Sequence, residues 1–243
     1  MRKTTEILGI PIDVIDHAGA LDRLEGFMSE GGYHLAVTPN PEMIMLAQKD
    51  ARVKEILRSA ALAAPDGVGV ILASHLTDSP IPHRVTGCDL MPDLLERMSK
   101  NGRTAYFLGG KPGVAEQAKR NAESRFPGIK IIGARHGYFS EEDDKLITKE
   151  LAEKKPDLLM LGLSMGMALN WAHDHRALNI SVMACVGGTL DIMSGAVVRA
   201  PRIFQRLGLE WLYRLASEPR RAGRMLQLPV FAAMAVRERL SRK

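Results

Sequence analysis

Apolar runs of strand length alternate with amphipathic stretches of helical length along most of the chain. Tyr33–Thr38 (YHLAVT) reads as a strand, and Pro41–Ala60 reads as helix with room for two. Ala61–Pro65 (ALAAP) reads as a short buried strand. Gly87–Gly102 has helical spacing and stops at a glycine, the residue that best tolerates a left-handed helix end. Thr104–Gly110 predicts a strand, Val114–Phe126 a helix and Ile129–Phe139 a strand. In Ser140–Lys155 a capping serine precedes a run of acids, which suit the positive end of a helix dipole. Pro156–Leu163 and Ile180–Gly188 predict two more strands with a helix between them, and beyond Ala200 the pattern is helical only. Such alternation implies an α/β protein with a mostly parallel sheet covered by helices.

The strand runs end in small or polar residues: Thr38-Pro39-Asn40, Pro65-Asp66-Gly67, Gly109-Gly110, His136-Gly137-Tyr138 and Gly187-Gly188. In a parallel sheet these endings share one edge, where open α/β sheets bind ligands. Five of them predict a nucleotide-sized site. Asp66 has two readings there. Pro-Asp-Gly is good turn chemistry, and a carboxylate at a strand's C-terminal end is also a candidate reactive group. In FLGGKPGV, the amides of Gly110, Gly113 and Val114 are positioned to hold a phosphate at a helix start, although a tight strand-to-helix turn explains the loop equally well. Neither G-x-G-x-x-G nor the GK[ST] of a P-loop occurs, which disfavours a nicotinamide oxidoreductase and an NTPase. Asp191 reads as a ribose ligand or a turn cap, Tyr138 as a base-stacking or a packing residue, and Arg84 as a phosphate clamp or a solvated loop residue. No D-x-D, HExxH or G-x-S-x-G is present, so no metal site is expected.

Composition narrows the class. Apolar residues make up 46% and charged residues 25%, ordinary values for a globular protein. Cys88 and Cys185 lie far apart with no CxxC pair, which excludes a zinc ribbon or disulfide framework. The N-terminal stretch lacks the apolar core of a signal peptide, and no apolar run approaches the roughly 20 residues of a membrane span. A cytoplasmic location is the expectation. Charge is uneven: Arg199 to Lys243 holds eleven basic and three acidic residues, a net +8, which leaves −3 on the rest of a chain of net +5. A basic segment rich in Leu, Trp, Tyr and Phe suits the surface of an anionic leaflet.

The ordered set VTPNPE, PDGVGV, RVTG, LGGKPGV, HGYF, PDLLMLGL, VGGTLD, APR and LGLEWLYRLASEPRR resembles the WecG/TagA/CpsF glycosyltransferases, from about Ile7 to Arg224. The resemblance implies a Rossmann-like body over residues 1–198, with helices on both faces of the sheet, and a helical basic appendage over 199–243. It implies inverting transfer of a sugar from a UDP-sugar to a polyprenyl-diphosphate-linked saccharide, in exopolysaccharide, teichoic acid or common-antigen synthesis. No metal and no cofactor beyond the UDP-sugar donor are implied. By resemblance Asp66 is the base, with Thr38, Asn40 and Arg84 beside it. Gly109, Gly110, Tyr138, Gly187, Gly188 and Asp191 fall on UDP-binding positions. Arg214, Arg220, Arg221 and Arg224 are assigned to the lipid diphosphate. The implied location is the inner face of the cell membrane, held peripherally through the basic segment. Nucleic acid is not an expected partner, and a homo-oligomer is left open.

One segment departs from the pattern. Where the family typically reads small-Pro-Lys-Gln-Glu-x-Trp, this chain reads SMGMALNWA, so Gly166, Met167, Ala168 and Leu169 replace Pro, Lys, Gln and Glu. If the segment lines the pocket, Ala168 removes a polar contact, with Asn170 or His173 as candidate replacements. The alternative function is therefore a catalytically altered or inactive relative that binds a UDP-sugar or a lipid-linked saccharide.

Overall fold

The computed structural model describes residues 2–217 and 227–241. It opens with an antiparallel hairpin of β1 (Thr4–Ile7) and β2 (Ile10–Asp13), which the sequence pattern does not announce. A six-stranded sheet follows, made of β3 (His34–Val37), β4 (Leu62–Ala63), β5 (Thr104–Gly109), β6 (Lys130–Arg135), β7 (Leu158–Gly162) and β8 (Val182–Cys185). Its order is β4-β3-β8-β7-β5-β6, and every neighbouring pair is parallel.

Side chains alternate between the two faces of this sheet, and so do its two cores. On one face Leu35, Val37, Tyr106, Leu159 and Met183 pack with α2 (Pro41–Ala47), α3 (Ala51–Ser59), α7 (Glu141–Lys154) and α8 (Met165–Asp174). On the other, Ala36, Phe107, Leu158, Met160 and Val182 pack with α1 (His17–Glu30), α5 (Gly87–Asn101), α6 (Val114–Arg125) and α9 (Thr189–Ser194). The continuous apolar runs of the central strands follow from burial on both sides.

The stretch from 41 to 60, read as helix with room for two, is two helices, because Asp50 caps a new start by accepting from the Arg52 and Val53 amides. Two elements differ from the sequence pattern. A helix, α4 (Val68–Ser74), follows directly after Asp66, where only a turn was read. The strand expected to reach Phe139 ends at Arg135, leaving His136–Phe139 as a loop.

The C-terminal helices are α10 (Arg202–Arg206), α11 (Glu210–Ser217) and α12 (Gln227–Ser241). The last of these packs back on the body. Phe231 and Ala235 are buried in the same core as α2 and α4, the Leu8 amide donates to Glu238 at 2.9 Å, and Arg239 pairs with Asp78 at 3.0 Å. Among the described residues no helix is long and apolar enough to cross a membrane.

Candidate functional site

The C-terminal ends of the central strands open on a cleft of about 610 Å³. Thr38 and Asn40 enter it after β3, Asp66 after β4, Gly110 after β5, Tyr138 after β6, and Gly187, Gly188 and Asp191 after β8. Eight of the residues singled out from the sequence thus converge on one cavity, as the switch-point geometry of an open parallel sheet dictates.

Asp66 is both a turn residue and a cleft residue. Its amide donates to the Pro39 carbonyl at 3.1 Å, and the Val85 amide donates to the Pro65 carbonyl at 2.8 Å, so both neighbouring loops clamp its backbone. Gly67 then takes φ +82°, a left-handed conformation that a side chain would strain, and starts α4. Asn40 caps α2 through Oδ1, which accepts from the Met43 amide at 2.9 Å. Its Nδ2 makes no hydrogen bond among the described residues, so two donors remain on the cleft wall.

The glycine loop corrects the expectation for two of its three amides, Gly110 and Val114 but not Gly113. The Gly110 amide donates to the Gly162 carbonyl and the Val114 amide to the Lys111 carbonyl, each at 3.0 Å, so neither is available to a phosphate. Gly109 does not line the cleft. It lies so close to β7 that a Cβ would sit 2.4 Å from the Gly162 backbone, which makes its role one of strand packing. The loop contributes Lys111, among the described residues the one basic side chain of a lining that also holds Glu42, Asp66 and Asp191. Tyr138 is 68% exposed, which rules out a packing role.

The departing segment does line the cleft. Ser164, Met165, Met167 and Ala168 form its wall at the start of α8. Trp171 fixes that helix by donating through Nε1 to Asp144 of α7 at 2.6 Å and stacking on His175 at 4.1 Å. Asn170 and His173, the expected replacements for a lost polar group, line neither this cleft nor the slot described next.

A second cavity, a slot of about 460 Å³, adjoins the cleft and shares Asn40, Glu42, Asp66 and Cys88 with it. Arg84 lies here rather than in the cleft. It is held by Glu210 of α11 at 2.9 Å, and Arg199 donates to the same carboxylate at 3.2 Å. Arg199 also makes two hydrogen bonds to Asp89 of α5, at 2.5 and 2.9 Å. Those bonds, opposed by partial burial, hold the Asp89 carboxyl down to about 2. Sequence reading missed Arg199, whose partner is remote in the chain. The side chain of Arg214 in α11, and all of Arg220, Arg221 and Arg224, lie outside the described residues.

A parallel sheet with its cleft at the strand C-termini defines a ligand-binding α/β protein of the Rossmann type. The chain belongs to the glycosyl transferase WecG/TagA/CpsF family, whose model matches residues 5–243. It is similar to the N-acetylglucosaminyldiphosphoundecaprenol N-acetyl-beta-D-mannosaminyltransferases of Staphylococcus aureus strains MW2 and NCTC 8325. It is 31% identical to each over 93% of this chain and 89% of theirs.

Proposed function

We propose that this glycosyltransferase moves a sugar from a UDP-sugar to a saccharide carried on a polyprenyl diphosphate, with Asp66 as the base. The observation that carries the proposal is the position of Asp66, on the wall between a polar cleft and an adjoining slot. A donor in the cleft and an acceptor entering from the slot meet at that carboxylate. The acceptor hydroxyl gives its proton to Asp66 and bonds to the anomeric carbon as the bond from that carbon to the UDP oxygen breaks. Displacement in one step inverts the anomeric centre. A positioned base contributes about 10²–10⁴-fold. Thr38 and the Nδ2 group of Asn40 orient the sugar hydroxyls, and Tyr138 stacks on the uracil. Asp191 accepts from the ribose, Gly187 and Gly188 let it approach, and Gly110 shapes the floor.

Charge argues for help from the C-terminal segment. The cleft lining holds three carboxylates and one lysine, a poor match for two diphosphates. In this reading Arg214, Arg220, Arg221 and Arg224 supply the missing positive charge at the lipid diphosphate. Exposed Ile203, Leu207, Leu212, Val230 and Leu240 on α10 to α12 give the same segment an apolar surface for the anionic leaflet on which such an acceptor resides.

The test is incubation of the full chain with a panel of UDP-sugars and N-acetylglucosaminyldiphosphoundecaprenol. The expected result is UDP release matched mole for mole by a lipid-linked disaccharide. UDP binding without transfer from any donor would replace this reading with that of a binding protein.

A further inference from the structure

The slot beside Asp66 is built for hydrocarbon at one end and for an anion at the other. Leu72 and Leu76 wall it from α4 and the turn after it, and Leu228, Phe231, Ala232 and Val236 wall it from α12. Protein interiors fill such apolar spaces, and a void lined by large aliphatic side chains is destabilising. Among the described residues no side chain fills this one. Its lining runs from Asp66 along α4, roughly 10 Å of helix at 1.5 Å per residue, to Leu76 in the turn beyond. Leu72 and Val236 also face solvent, 63% and 48% exposed, as they do where a cavity opens to the outside. At roughly 30 Å³ per water-sized group, 460 Å³ holds on the order of fifteen carbons.

The charged part of the lining is an ion-pair cluster with an exchangeable member. Arg84 and Arg199, each about one-fifth exposed (22% and 20%), converge on the carboxylate of Glu210, while Arg199 also holds Asp89. Two guanidiniums that meet at one carboxylate present a set of N–H donors that the larger oxygen set of a diphosphate can accept from.

We infer that the slot between α4 and α12 binds the first isoprene units of the acceptor lipid, with its diphosphate on Arg84 and Arg199 in place of the Glu210 carboxylate. This rests on the proposed acceptor, and it assigns the lipid chain a place inside the protein rather than wholly in the bilayer. Four residues shared with the cleft make the path continuous, so a lipid seated here brings its sugar to Asp66.

The test is equilibrium binding of farnesyl diphosphate and of inorganic diphosphate to the full chain, which needs no turnover. The wild-type protein is expected to bind farnesyl diphosphate at least about 10-fold more tightly, because apolar area leaves water only with the former. Ala232→Trp, which fills the slot from an exposed position, and Leu72→Gln, which makes its mouth polar, should each reduce that preference to less than about 3-fold. Binding of inorganic diphosphate and of UDP should be unchanged in both, which checks the fold. Equal affinity for the two probes in the wild type overturns the inference. So does a full preference retained in folded variants. Failure of sugar transfer would count against the proposed function and leave this result standing.

Discussion

The Glu210 carboxylate lies 2.9 Å from the Arg84 guanidinium, which ties α11 to the loop between α4 and α5. Through Arg199 and Asp89 the same network reaches α5, so the C-terminal helices and the sheet edge are joined by charge as well as by packing. Glu210 competes with any anion for both arginines. We expect Glu210→Gln to tighten inorganic diphosphate by about 1 kcal/mol, roughly 5-fold, with the UDP affinity unchanged. Titration calorimetry reads it, and an unchanged or weaker diphosphate affinity would show that the carboxylate supports the site instead of occupying it.

Asp89 gives this network a pH signature. Its folded carboxyl, hydrogen-bonded by Arg199, titrates near 2, below the ordinary 3.8. A depressed pKa means stability that is present above the unfolded value and lost as pH falls from about 4 toward 2. Asp89 is 46% exposed, so solvent screens the pair and the contribution is about 1 kcal/mol at most. Urea midpoints measured from pH 5 to pH 2 should fall more steeply for the wild type than for Arg199→Gln. Parallel curves would remove the pair from the stability account.

Asp66→Asn should keep the fold and UDP binding, because the side chain keeps its size and the backbone hydrogen bonds on either side of residue 66 stay in place. Transfer should drop at least about 10²-fold. Near wild-type turnover would reduce Asp66 to a turn former.

Asp13 is fully buried at the end of β2, where it accepts from Arg2, from Arg23 and from the Ala63 amide at 2.7 Å. Ala63 belongs to β4, the strand that presents Asp66. Asp13→Ala leaves a buried amide without its acceptor and should cost about 3 kcal/mol in urea unfolding. A loss under 1 kcal/mol would mean that the hairpin is not what fixes β4.

The sheet was legible because both of its faces are buried, which prints each central strand as an uninterrupted apolar run. The residues of the cleft were legible because strand ends in a parallel sheet share an edge. What stayed hidden depends on partners distant in the chain. The hairpin has strands of four residues with Pro11 in one of them, too short for a period to show. Gly67 and Gly69 mask α4, a helix that owes its stability to packing against Pro41 and Phe231 rather than to propensity. The Gly110 amide looked available because its acceptor, Gly162, comes from another strand. The C-terminal segment was legible as helix, but the entry of Phe231 of α12 into the core depends on partners far away in the chain.

The wall formed by α8 bears on the choice of donor. Beyond the Ser164 hydroxyl, Met165, Met167 and Ala168 offer only sulfur and hydrocarbon to the cleft, with no side-chain amide among the four. An N-acetyl group on a sugar carries an amide N–H and carbonyl that lose water on entry. Left unpaired against this wall, they cost about 1–3 kcal/mol, or roughly 10- to 100-fold in kcat/KM. A hexose lacking the acetamido group avoids that penalty. We therefore expect the wild type to prefer such a donor over UDP-N-acetylmannosamine, the opposite of what the names of its Staphylococcus aureus relatives would lead one to assume. Ala168→Gln places a donor and an acceptor at this wall and should move the preference at least about 10-fold toward the N-acetylated sugar. Ala168 is buried, so a longer side chain also tests how much room the cleft holds, and UDP affinity serves as the check that the cleft remains open. Donor ranking that does not change in an active Ala168→Gln enzyme would show that this wall does not read the sugar.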